Sequence, residues 1–281
     1  MSNTDSSSIS FTAYYTGEVW RQHGLSNLMF ATNTGRVLYG LGRPIEATVT
    51  ALAGASIRTT LLQRHQLIDA VVKRAIREQG ITQIVEIACG LSPRGVRLCA
   101  EFPDVQYIEA DLPAMATHKR QLLEQHGMLS RRHRVVSINI LEETGSQALD
   151  TVFAALDQTQ KTLVITEGLV NYFALEVITP FWQRLATALK RFPAGAYVTD
   201  LYPNLTWHPF VRLSNAFKQG LAIATRSSVT LHFEHHQAIE QGFARCGFAQ
   251  TTVHLPESYY HILPIPTSRV ASLVRVVENW V

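Results

Sequence analysis

Three cysteines in 281 residues, at positions 89, 99 and 246, are too few and too irregularly spaced for a disulfide framework or a thiolate metal site. That usage points to a reducing cytoplasm. No apolar run approaches the roughly 20 residues of a membrane span, and the opening MSNTDSSSIS lacks the apolar stretch of a secretory signal. Charge is sparse, with 17% of residues Asp, Glu, Lys or Arg and a formal net charge of +3. The densest basic cluster, Arg131 to Arg134, reads as a solvated loop, since a nucleic-acid footprint needs a broader basic face. Also missing are a G-x-G-x-x-G fingerprint and a Tyr-x-x-x-Lys pair, which argues against a nicotinamide dehydrogenase. No internal repeat is present.

What is present is enough apolar material, 46% of the chain, for one large core. From residue 81 onward, short β-branched runs alternate with helical patterns. ITQIVEIA (81–88), VQYIEAD (105–111), RVVSINI (134–140), TLVITEG (162–168) and GAYVTDL (195–201) read as strands, mostly apolar throughout, as strands covered on both faces are. Helices are predicted at about 93–101, 113–127, 145–157 and 175–191. Such alternation predicts right-handed crossovers and a mostly parallel sheet. QTTVHLP and SRVASLVRVVENWV add two strands with no helix between them, hence an antiparallel pair at one sheet edge. The helical segment 56–80 ends at Gly80, a plausible C′ residue. The boundaries expected are a disordered tail at 1–10, a helical cap at 11–56, and a main domain at 57–281 with an insertion at about 202–233.

The loop in VEIACGLSPRG leaves the first strand of this sheet, where the ligand crevice of an open parallel sheet begins. One glycine, Gly90, suffices there if a single backbone atom must approach the ligand. A pyrophosphate needs donors at a helix N-terminus, and a nucleoside without phosphates does not. The loop therefore favours S-adenosylmethionine (SAM) over a dinucleotide. About 20 residues on, YIEADLP places Glu109 and Asp111 on one strand face, with Asp111 nearer the carboxyl end and able to accept both ribose hydroxyl hydrogens. Asp111 as a helix cap is the competing reading. The third strand ends in SINIL, where Asn139 and Ile140 suit adenine, or a plain loop entry.

Four blocks, in this order, carry a resemblance: RHQLID (64–69), VEIACGLSPRGVRL (85–98), YIEADLPAMATHKRQLL (107–123) and TLVITEGLVNYF (162–173). They resemble the leucine carboxyl methyltransferase family, especially its bacterial branch of polyketide O-methyltransferases similar to the tetracenomycin enzyme. The resemblance implies an α/β class I SAM-dependent methyltransferase fold, Rossmann-like, with a seven-stranded, mostly parallel sheet and an antiparallel edge strand. It implies SAM as cofactor. Arg64 would take the methionine carboxylate, Gly90 would let the backbone approach with Glu86 nearby, Asp111 would hold the ribose, and Glu167 would lie near the methionine amine and the sulfonium. Asn139 stands where relatives often carry Asp.

The implied reaction is O-methylation of a small acceptor, aromatic or polyketide-like, on a carboxylate or a hydroxyl. A carboxylate needs no base; a hydroxyl does. Tyr172, Tyr202 and His208 are the candidate catalytic side chains, with Asp200 a further base candidate. The histidines at 232, 235 and 236 read as a helix start, and no metal is expected. Neither nucleic acid nor membrane is an expected partner, and a homodimer stays open. Two alternatives also stay open: a protein C-terminal carboxyl methyltransferase, and a SAM-binding regulatory protein without transferase activity.

Overall fold

A computed structural model describes residues 6–53, 56–204 and 230–281. Its centre is a seven-stranded sheet of β1 (Gln83–Ile87), β2 (Gln106–Asp111), β3 (His133–Ser137), β4 (Thr162–Thr166), β5 (Gly195–Leu201), β6 (Gln250–His254) and β7 (Arg275–Trp280). The order is β3-β2-β1-β4-β5-β7-β6. Strands β1 to β5 pair in parallel, while β7 runs antiparallel to both β5 and β6. The chain order reverses between β1 and β4, which places a ligand crevice beyond their carboxyl ends.

Two helices precede the sheet, α1 (Ser6–Gln22) and α2 (Asn33–Ala53), so helix already begins within the stretch read as a tail. Next comes α3 (Ile57–Arg74), whose start is fixed by Ser56: its hydroxyl accepts the Thr59 N–H at 3.1 Å. A π-turn extends α3 to Gly80, which takes the left-handed conformation at φ +70 expected of a C-terminal glycine. The crossovers are α4 (Arg94–Glu101), α5 (Pro113–Gln125), α6 (Leu149–Ala154) and α7 (Leu175–Leu189), with Pro113 at the first position of α5. α8 (His236–Arg245) is capped by His235, whose Nδ1 accepts the Ala238 N–H. The histidine cluster is thus a helix start. No described helix is long and apolar enough to cross a membrane.

Strand alternation divides the core into two layers. Val85, Ile87, Ile108, Ala110 and Val164 pack beneath α6 and α7 with Phe181, Trp182 and Leu185. Ile84, Tyr107, Leu163, Ile165 and Val198 pack against α3 and α4 with Leu67, Val71 and Leu98. On this second face the next inward positions toward the carboxyl ends are Glu86, Glu109 and Asp200, all buried.

Candidate functional site

The loop after β1 turns through two left-handed residues, Ala88 at φ +56 and Gly90 at φ +47. For alanine that conformation costs roughly 1–2 kcal/mol, so the surroundings must hold it. They do: Cys89 N–H reaches the Ala110 carbonyl and Ser92 N–H the Cys89 carbonyl. The Gly90 N–H donates to Asp111 Oδ2 at 2.8 Å, and Asp111 Oδ1 accepts the Leu112 N–H at 2.8 Å. Asp111 is 8% exposed, and burial raises its carboxyl pKa against these two donors. The carboxylate therefore stands at the tip of β2 with its orientation fixed by main chain and lone pairs to spare. Helix α1 lies directly on the loop: a Cβ on Gly90 would meet the Ala13 Cβ at 3.4 Å, and one on Gly17 the Leu91 Cβ at 3.4 Å.

Beyond β1 and β4 is a buried ionic cluster. Arg94, 0% exposed, donates from Nε to Asp69 Oδ1 (2.6 Å), from Nη1 to Glu86 Oε1, and from Nη2 to Glu167 Oε2 (2.6 Å). It joins α3, β1 and the end of β4. His65 donates from Nδ1 to Glu167 Oε2 (2.9 Å) and accepts at Nε2 from Arg97 Nη2 (2.6 Å). Arg97 at Nε2 and Arg94 Nη2, 3.0 Å from Nδ1, can only donate, so the ring is neutral, with its proton on Nδ1 where Glu167 accepts it. Burial lowers the His65 pKa in the same sense. Burial works against the charge on Glu167, but His65, Arg94 and Arg64 overcome it and hold the carboxyl well below its usual range. Asp69 falls to about 2 against burial, held by Arg94 and Arg97.

Arg64 donates from Nε to Glu167 Oε1 (3.0 Å) and from Nη1 to Tyr202 Oη (3.1 Å), with Asp200 Oδ2 at 3.4 Å. Its Nη2 has no acceptor among the described residues. Gly168, at φ +66, faces this guanidinium, and a Cβ there would stand 3.1 Å from both Nη1 and Nη2. The Gly168 N–H in turn holds Asp200 Oδ1 at 2.7 Å. Nη2 thus lacks a protein acceptor among the described residues, and the absence of a side chain at 168 keeps it open.

Arg64, Gly90, Asp111 and Glu167 therefore share the carboxyl edge of the sheet. Tyr202 joins them through Arg64, and Glu86 through Arg94. Glu86, read as a cofactor contact, has both oxygens committed to protein donors, Arg94 and the Tyr107 hydroxyl (2.7 Å). Asn139 folds its own turn, accepting the Leu141 N–H at 3.1 Å, and Ile140 is buried in the core with its carbonyl held by Arg184. Tyr172 sits half-buried on a 3-10 turn after β4. Burial pushes the Tyr202 phenol up to about 12 despite Arg64. His208, and most of the predicted insertion at 202–233, lie outside the described residues. Sequence reading gave no role to Arg94, Asp69, His65 and Gly168, and took Asp200 for a base candidate where the structure pairs it with Arg64 and the Gly168 N–H. Arg94 and Asp69 stand inside quoted blocks, but nothing in a linear pattern pairs Arg94 with Glu167, 73 positions away.

The strand order and its antiparallel β7 define the class I SAM-dependent methyltransferase fold. Solved structures agree at 13–14% identity. A candidate methyltransferase from Thermobifida fusca superposes with a TM-score of 0.56 over 89% of this chain and 88% of that one, at 14% identity. Magnesium protoporphyrin IX methyltransferase from Synechocystis, solved with S-adenosylhomocysteine (SAH), gives 0.51 over 85% and 94%, at 13% identity. The sequence profile of the leucine carboxyl methyltransferase family matches residues 41–183, half of the chain, and the protein belongs to that family. A Mycobacteroides abscessus protein named as a candidate SAM-dependent methyltransferase is 32% identical over 137 residues, 48% of this chain. The match spans 43% of that relative.

Proposed function

We propose that the protein binds SAM and methylates an oxygen, that of a carboxylate on a small organic acceptor. The observation that carries the cofactor reading is the charge of the cleft edge. Four buried carboxylates, Asp69, Glu86, Glu167 and Asp200, face three guanidiniums, Arg64, Arg94 and Arg97, with His65 neutral. The excess is negative, and Asp111 adds to it. Such an edge suits a sulfonium and an ammonium and repels a pyrophosphate. Arg64 Nη2 supplies the donor for the methionine carboxylate, Asp111 the acceptor for the ribose diol, and Glu167 the negative charge near the amine. When bound, SAM supplies an electrophilic methyl on a charged sulfur.

What this chain's residues must then do is align an acceptor oxygen, which can contribute roughly 7–11 kcal/mol. A carboxylate acceptor is ionised at neutral pH and needs no base. That fits Tyr202, whose phenol is pushed up to about 12 by burial and whose oxygen already accepts from Arg64. The family's name supports the same choice. The polyketide-like acceptor rests on the quoted sequence blocks.

Calorimetry with SAH and with NAD separates the cofactor readings. Binding of SAH alone is expected; a preference for NAD would overturn the proposal. Labelled-methyl transfer to paired acids and phenols of matched shape then tests the acceptor. Transfer to phenols only would sink the carboxylate reading and leave the cofactor untouched.

A further inference from the structure

The block YIEADLPAMATHKRQLL contains a glutamate and a lysine to which the cofactor reading gives no task. The structure brings them together. Lys119, on α5, is 0% exposed, and its ammonium sits 2.7 Å from Glu109 Oε2 on β2. Two of its hydrogens go to the cofactor loop, to the Ser92 carbonyl at 2.6 Å and the Gly90 carbonyl at 3.3 Å. The Phe30 ring closes over it, 4.9 Å from the ammonium. Glu109 Oε1 pairs with His133 Nε2 at 2.7 Å, and His133 Nδ1 faces the Met128 carbonyl at 3.1 Å. Two hydrogen bonds of the lysine end on the main chain of one five-residue turn, and its ammonium meets Glu109 as an ion pair.

We infer that Lys119 is the positioning residue that shapes the cofactor loop, holding the carbonyl of Gly90, and so the peptide after it, while Asp111 holds the N–H of the peptide before it. This rests on the SAM reading. The turn contains a left-handed alanine and a left-handed glycine, a conformation that a free loop would leave. Asp111 fixes only the Gly90 N–H; the carbonyls of Gly90 and Ser92 would otherwise be free to rotate. A charge-assisted hydrogen bond on each supplies the missing constraint. Glu109 keeps the ammonium charged in the interior, and His133 completes the pairing of Glu109. Gly95 admits this arrangement: a Cβ there would collide with Glu109 Oε1 and stand 2.7 Å from His133 Nε2.

A buried ion pair can also be merely structural, so the test must read the loop. Lys119→Met combined with Glu109→Gln removes both charges at nearly constant volume, which leaves no lone buried charge. Hydrogen–deuterium exchange on the cofactor-free protein is expected to show amides 88–92 exchanging roughly tenfold faster, with β4 and β5 unchanged. SAH affinity by calorimetry is expected to fall roughly tenfold, at a nearly unchanged unfolding temperature. Lys119→Gln, which keeps one amide donor, is expected to fall between wild type and the double variant. Equal loop exchange in all three proteins, or acceleration spread evenly over the sheet, overturns the assignment. Failure of the wild type to bind SAH overturns the cofactor reading instead, and the exchange data still decide the role of Lys119.

Discussion

The two faces of the sheet solve different problems with the same strands. Under α6, α7 and α8 the face is oily, closed by Trp182, Phe181, Tyr197, Phe243 and Phe248, with Trp182 and Phe243 rings 4.7 Å apart. Under α3, α4 and α5 the face starts apolar and ends charged. Glu86 and Glu109 are register partners on neighbouring strands, both essentially unexposed. Side-by-side carboxylates repel, and each is held by its own cation, Arg94 for one and Lys119 for the other. The oily face produces stability. The charged face gives some up and produces oriented charge where a ligand crevice opens.

Removing one side chain from each face tests this division. Arg94→Met leaves Glu86 without a cation and takes one from Asp69 and from Glu167, and breaking even one such buried pair costs about 3–5 kcal/mol. We expect the largest destabilisation of any single change here, to the point of incomplete folding at pH 7. Trp182→Ala removes the largest fully buried side chain among the described residues and is expected to cost about 3–5 kcal/mol. Urea titrations at pH 7 and pH 5 distinguish the mechanisms. The Arg94→Met deficit shrinks on acidification as the stranded carboxylates protonate, while the Trp182→Ala deficit stays constant. A pH-independent Arg94→Met deficit would mean the arginine acts by packing alone.

The wild type carries the same signature in reverse. Glu167, Glu109 and Asp69 have folded pKa values below their ordinary 4.5, 4.5 and 3.8, Asp69 at about 2. Depressed carboxyls contribute stability that is complete above the ordinary value and lost as pH falls through the folded one. Asp111 and Asp200 are raised by burial and act oppositely, their penalty easing as pH falls through the raised folded values and gone below 3.8. Glu18, Asp157 and Glu278 are depressed as well, so six depressed carboxyls among the described residues stand against two raised ones, and the balance is a net loss. Scanning calorimetry should find the unfolding temperature flat from pH 7 to about 5 and falling steadily from about 4.5 toward 2. A rise over that interval would mean the raised pair dominates.

The fold was legible because its signals are local. β-branched runs gave the strands, the missing helix before the last strand gave the antiparallel pair, and Gly80 and Pro113 marked helix ends. Asp111 was legible for the same reason: alternation along one short strand and its distance from Gly90. Arg94, Asp69 and Lys119 were not, because a lysine or arginine within a helix pattern looks like solvated surface. Only the tertiary fold turns Arg94 inward, and only the sheet register sets Glu86 beside Glu109. Glu86 was legible as a strand-end acid, but its partners Arg94 and Tyr107 were not.

On the cofactor side of the comparison, Asp111→Asn keeps shape and removes charge. The new amide nitrogen must face either the Gly90 or the Leu112 N–H, donor against donor, so one main-chain bond is lost with the anionic acceptor. A hydrogen bond to a charged group is worth about 1.5–3 kcal/mol, hence an SAH affinity reduced about 10- to 100-fold with little loss of fold. Undiminished SAH affinity in this variant by calorimetry would remove Asp111 from the ribose site.

Gly168→Ala is the smallest change and probes the meeting of the two roles. The residue sits at φ +66, where alanine is destabilising by about 1 kcal/mol. Its methyl would also stand 3.1 Å from both terminal nitrogens of Arg64, tighter than ordinary contact, and on the side where Nη2 is open. Backbone strain alone lowers the unfolding temperature and leaves ligand affinity of the folded protein intact. Obstruction of Arg64 lowers SAH affinity as well, by about threefold to tenfold at a net penalty near 1 kcal/mol. Adenosine, which has no carboxylate, provides the internal control. If Gly168→Ala weakens SAH and adenosine equally, the methyl disturbs the cleft in general and Arg64 Nη2 is not the carboxylate donor. If only SAH weakens, the charged edge of the sheet is read by the ligand at that one nitrogen.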